Sequence, residues 1–134
     1  MARSPTPDPV AQRYVALVHN FWSNYLASEQ NAGDVCLRNV DMHVCAQRGE
    51  AMIPVLQKFL TDLDTTPAPA KFAVDDANFR RQLPIAISHL EGAVEAALAN
   101  NAATFTQDIN AYVDDMVPAV TESLDHIDPR VVHV

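Results

Sequence analysis

Glycine is scarce in this chain, with three residues among 134, and that scarcity excludes several functions at once. A phosphate-cradling loop of the Gly-x-x-x-x-Gly-Lys type, a dinucleotide fingerprint and a Gly-x-Ser-x-Gly nucleophile turn all need glycines that are not there. Tight hairpin turns need them too, so a sheet-rich fold is disfavoured. Lysine and arginine are also few, nine against seventeen acidic residues, for a net charge of -8. Nucleic acid needs basic side chains gathered against phosphates, and anionic lipid attracts the same groups. Both partners are disfavoured. No apolar run approaches the roughly 18 to 20 residues of a membrane-spanning helix. The opening Met1-Ala-Arg-Ser-Pro-Thr-Pro-Asp-Pro9 has no apolar core of a signal peptide.

What is present is 49% hydrophobic residues against 19% charged, ordinary for one folded domain of this length. Both cysteines fall in one stretch, Cys36-Leu-Arg-Asn-Val-Asp-Met-His-Val-Cys45. Eight intervening residues permit a small disulfide loop, worth about 2–3 kcal/mol in an oxidising compartment. Two alternatives stay open. The thiols are free if the protein is cytoplasmic, and Cys36, Met42, His43 and Cys45 together form a donor set suited to a soft ion such as Cu(I). The metal reading excludes the bridge, since it requires thiolates.

Taken in order, residues 1–8 form a proline-rich lead expected to be disordered. Asp8 can then cap a helix that begins at Pro9, where a missing N–H is harmless. Val10, Tyr14, Leu17, Phe21 and Leu26 recur at helical spacing to about Gln30, where Asn31-Ala-Gly33-Asp34 offers turn chemistry. Between Val10 and Ser28 the only formal charge is Arg13. This first helix is therefore a candidate partner or ligand face, carried by Tyr14, Phe21, Trp22, Tyr25 and His19, or else plain core. Asp34 is a candidate cap for a short helical piece through the cysteines.

Met52, Leu56, Phe59, Leu60 and Leu63 define a second helix over about Ala46 to Asp64. Thr65-Thr-Pro-Ala-Pro-Ala70 breaks it as a stiff crossover. Asp75 or Asp76 is positioned to cap a third helix with Phe79, Leu83, Ile87, Leu90, Val94 and Leu98 on one face. Asn100-Asn101 interrupts, and a fourth helix from about Ala103 carries Phe105, Ile109, Tyr112, Met116, Val120, Leu124 and Ile127 before Asp128-Pro129 stops it. Residues 129–134 are expected to fray. One domain over 9–128 follows: an all-α, irregular antiparallel four-helix bundle. Pro54, Pro84 and Pro118 lie inside helices, and the last two should kink them, leaving room for a small apolar ligand.

Catalytic constellations are missing. Ser88 and His89 are adjacent and point about 100° apart on a helix. Glu122 and His126 make an ordinary surface pair, and the row Asp108, Asp115, Glu122 reads as a solvated face. No enzyme activity and no cofactor are expected; haem on His19 is the one cofactor reading the residues allow, through a single axial bond in an apolar slot.

The run Val40-Asp41-x-x-x-Cys45-x-x-Arg48, Val55-Leu56-x-x-Phe59-Leu60-x-Asp62-Leu63, Pro67-x-Pro69-x-x-Phe72 and Asp76-x-x-Phe79-Arg80-x-x-Leu83 resembles small exported, often lipid-anchored, all-helical proteins of actinobacteria. The likeness covers the middle third. It implies export, a cysteine bridge and a helical bundle, and it carries over no catalytic residue. The lipidated cysteine and signal of that group have no counterpart here, so an anchor would belong to a longer native precursor. The leading expectation is a non-enzymatic exported accessory or interaction module of the cell envelope, with a protein partner or a homodimer. A carrier of a small apolar or haem-like ligand between kinked helices is the alternative, followed by soft-metal binding at the cysteines. A cytoplasmic location is the alternative to export.

Overall fold

A computed structural model describes residues 8–36 and 41–128; the expected disordered lead, apart from Asp8, and the expected frayed tail lie outside them. Helices account for almost all of the described chain, and no strand occurs among these residues. Four long helices pack together: α1 (Pro9–Cys36), α2 (Met42–Thr65), α3 (Ala73–Leu98) and α4 (Ala102–Ile127), with one 3-10 turn at Ala70–Phe72.

Asp8 caps α1 as its position before Pro9 suggests, its Oδ1 accepting from the Val10 N–H at 3.0 Å. The helix then runs on through Asn31-Ala-Gly33-Asp34 to Cys36 instead of stopping near Gln30. Turn residues are weak breakers, with glycine costing about 1 kcal/mol against alanine in a helix interior. Burial of Ala32 and the tie at Cys36 outweigh that preference. Asp34 therefore lies inside α1 and not at the start of a separate helix. The cap of α2 is Asp41, whose Oδ1 accepts from the His43 N–H at 2.8 Å, so α2 starts four residues earlier than the apolar periodicity indicates.

Asp75 and Asp76 likewise fall in the first turn of α3 and not at its cap, because the 3-10 turn already has Ala73 helical. Negative charge still suits that turn, where backbone N–H groups are unpaired. The two asparagines between α3 and α4 divide the work of stopping and starting. Asn100 takes a left-handed backbone (φ 56°), and Asn101 accepts from the Thr104 N–H at 3.1 Å to cap α4.

α3 is the central element, packed extensively on α2 and on α4, while α1 leans on α2 and touches α4 only sparsely. The main core joins Tyr14, Val18 and Phe21 of α1 to Leu56, Phe59 and Leu63 of α2, Phe79, Leu83 and Leu90 of α3, and Val120 and Leu124 of α4. Phe21 and Phe59 stack with ring centroids 4.0 Å apart, and Phe79 meets Phe59 edge-on at 5.3 Å. A polar clasp sits beside these rings. Arg80 joins Asp76 and Asp64 and donates to the Leu63 carbonyl, while the Tyr14 hydroxyl donates to Asp76 at 2.9 Å. Three helices are thereby tied at one point.

Candidate functional site

The interior changes character toward the cysteines. Along α3 the buried positions pass from Phe79, Leu83 and Ile87 to Ala93, Val94 and Ala97. On α2 they pass from Leu63, Phe59 and Leu56 back to Gly49, Ala46 and Cys45, and on α1 Ala32 is buried at the same level. Small side chains on three helices at one level leave a half-enclosed pocket of about 230 Å³. Phe105, Ile109, Tyr112 and Val113 of α4 complete its wall, and its surface is mostly apolar. Gly49 is required here by close approach: a Cβ at that position would stand 2.9 Å from a Val94 methyl.

Three polar features enter this apolar lining. The Tyr112 hydroxyl donates to the Tyr25 oxygen at 2.8 Å, a buried bond across the thinly packed seam between α1 and α4. Burial pushes both hydroxyls above the ordinary phenol range, so both stay protonated. Glu29, one turn beyond Tyr25, borders the same pocket with its side chain largely exposed, and desolvation raises its carboxyl above the usual glutamate value. The third feature is the cysteine pair. The Cys36 and Cys45 sulfurs lie 2.03 Å apart, at disulfide distance, and both residues line the pocket wall.

The sequence-derived sites fare differently. Tyr14, Phe21, Trp22 and Tyr25 are buried within the bundle, so they form no outward partner face. The wide apolar stripe of α1 reflects contact with α2 and the remaining core. Tyr25 alone of the four reaches the pocket. His19 does not join it: the side chain is exposed, with Nδ1 4.0 Å from an Asp128 oxygen. An axial ligand needs to face an enclosed slot, and His19 faces none.

The soft-metal set is also dispersed. Cysteines joined to each other offer no thiolate, Met42 is half-buried against Ala46 and Val94, and His43 is exposed beside the α2 cap. No cluster of three or more His, Cys, Asp or Glu suited to a metal occurs among the described residues. His126 leaves its helix neighbour Glu122 and instead meets Asp75 at 2.6 Å, while Asp108 of the acidic row is half-buried beside His89 at 3.8 Å and close to Gly92.

Among the described residues no helix is long and apolar enough to cross a membrane. Sequence reasoning placed room for a ligand beside Pro84 and Pro118; the pocket lies instead at the level of Leu90–Val94 and Phe105–Val113. The signal that marks it is the alanine-rich stretch Gly92-Ala-Val-Glu-Ala-Ala97 set against Gly49 and Ala32. No protein-family model, curated protein or solved structure matches this chain, so the geometry of the pocket is what a functional reading has to stand on.

Proposed function

We propose that this protein is a non-catalytic binder of a small apolar ligand, held in the pocket between the four helices at their cysteine-bearing end. The observation that carries the reading is a mostly apolar space of about 230 Å³ walled by all four helices at the small-residue end of the core. Dry cavities of about 150 Å³ in proteins take up benzene, so a pocket of this size suits an occupant of about eight to ten carbon atoms. Such pockets are apolar with few polar groups, as here. The bundle is proposed to be antiparallel, with Pro84 and Pro118 bending α3 and α4 around their contact. Cysteines at disulfide distance favour an oxidising compartment, and export to the cell envelope is proposed on that ground.

Octanol, a neutral molecule with an eight-carbon tail, tests the reading directly. It should raise the melting temperature with concentration and change the fluorescence of Trp22, whose ring stacks 5.2 Å from Tyr25. Ala93→Leu and, from a different helix, Ala32→Leu should each fill the space and remove both responses while the chain stays folded. Equal octanol binding by the parent and both filled variants would rule the pocket out.

A further inference from the structure

We infer that the ligand is an amphiphile whose polar end is a protonated amine, placed against Glu29 at the mouth of the pocket with its apolar tail between α2, α3 and α4. The inference rests on the pocket reading above and adds the chemistry of the head group.

Charge complementarity selects that head. Among the described residues that line the pocket, Glu29 is the single one that can carry charge at neutral pH; no lysine, arginine or histidine borders it. Tyr25 and Tyr112 remain neutral hydroxyls there, and the cysteines are bonded to each other. A carboxylate or phosphate head would meet one negative charge, no compensating cation and a chain of net charge -8. An ammonium finds the opposite: a carboxylate to accept one N–H bond, with the Tyr25 oxygen one helical turn away on α1 as a further acceptor.

Position supports the same orientation. Glu29 stands on α1 at the seam where α1 and α4 make few contacts, the thinnest part of the wall, and is itself exposed. Ala93 and Gly49 lie on the inner helices. A molecule entering by the seam tail-first therefore leaves its head level with Glu29. The Tyr25–Tyr112 bond spans that seam and holds the two sides in register. Desolvation raises the Glu29 carboxyl above its usual value, and a bonded ammonium would offset that cost.

The test compares octylamine, octanol and octanoate, which share one tail, by calorimetric titration of the oxidised full chain near neutral pH and physiological salt. Octylamine should bind about tenfold more tightly than octanol, the scale of one charge-assisted hydrogen bond, with octanoate weakest. Glu29→Gln should abolish the preference, so that octylamine binds no more tightly than octanol to the same variant. Glu91→Gln, which removes an exposed carboxylate outside the pocket, should keep the parental order and so separates Glu29 from the general negative charge. Octanol binding without an amine preference, or a preference that survives Glu29→Gln, would overturn the head-group assignment and leave the apolar pocket standing. Failure of all three ligands to bind would overturn both.

Discussion

The two ends of this bundle are built by the same four helices and differ in side-chain volume. At the end held by Arg80, rings fill the space: Phe21 on Phe59, Phe79 against Phe59, Tyr14 over Phe72 at 6.0 Å. At the end held by the cysteines, Ala32, Gly49 and Ala93 occupy the equivalent inward positions and a pocket remains. The fastenings differ too. One end is clasped by a charged network that tolerates solvent, the other by a pair of bonded sulfurs and a hydrogen bond between tyrosines. Labour is divided between them: the ring-packed half supplies stability, and the small-residue half gives some of it up to leave space.

Removing volume from the packed half should be the most damaging change. Phe59, 1% exposed, touches rings on two helices, so Phe59→Ala should destabilise the chain by about 3–5 kcal/mol in denaturant titration. Phe105, half-buried at the pocket edge, should cost only about 1–2 kcal/mol when replaced by alanine, because water already reaches that site. Equal losses at the two positions would erase the distinction between the halves.

Next in size is the fastening of the open half. Replacing Cys36 and Cys45 together with serine should lower stability by about 2–3 kcal/mol, the loop-entropy value for a bridge of this spacing. Reduction of the parent should do the same, and the double variant should be indifferent to reductant. The Tyr25–Tyr112 bond ranks below it. Tyr112→Phe strands a buried Tyr25 hydroxyl and should cost about 1–2 kcal/mol, and a double-mutant cycle with Tyr25→Phe should show coupling between the two.

Much of this architecture is legible in the sequence. Helical periodicity with Leu56, Phe59, Leu83 and Leu124 at its buried positions identifies the core, and Asp8 marks a helix start by its chemistry. The errors share one cause, local signals overridden by contacts between distant residues. Turn residues at Asn31–Asp34 do not stop α1, because Ala32 is buried and Cys36 joins α2. An aromatic stripe reads as surface or core until a partner helix is placed on it, and of the two readings open for Tyr14, Phe21 and Trp22 their burial selects core. The position of the pocket was misread for the opposite reason. It is made of what side chains leave empty, at a level where Gly49, Ala93 and Ala32 coincide only after three helices are packed.

The smallest effect expected comes from Glu29, which reads the electrostatic state of the open half without a ligand. Partial desolvation at the pocket mouth raises the Glu29 carboxyl above its usual value, so its ionised form is somewhat less favourable in the folded chain than in the unfolded one. The fold therefore has its full share of stability below the ordinary glutamate pKa of about 4.3 and loses some of it as pH rises through the higher folded value. Glutamine at this position carries no such penalty. Glu29→Gln should thus melt slightly above the parent at neutral pH and together with it well below pH 4, with the histidines and other carboxylates cancelling between the two chains. Tyr25 and Tyr112, the titratable groups that share the pocket, stay neutral throughout this range and add nothing to the difference. A gap in melting temperature that does not change with pH would mean that the Glu29 carboxylate is solvated like any surface group, and the open half would then be a merely under-filled core.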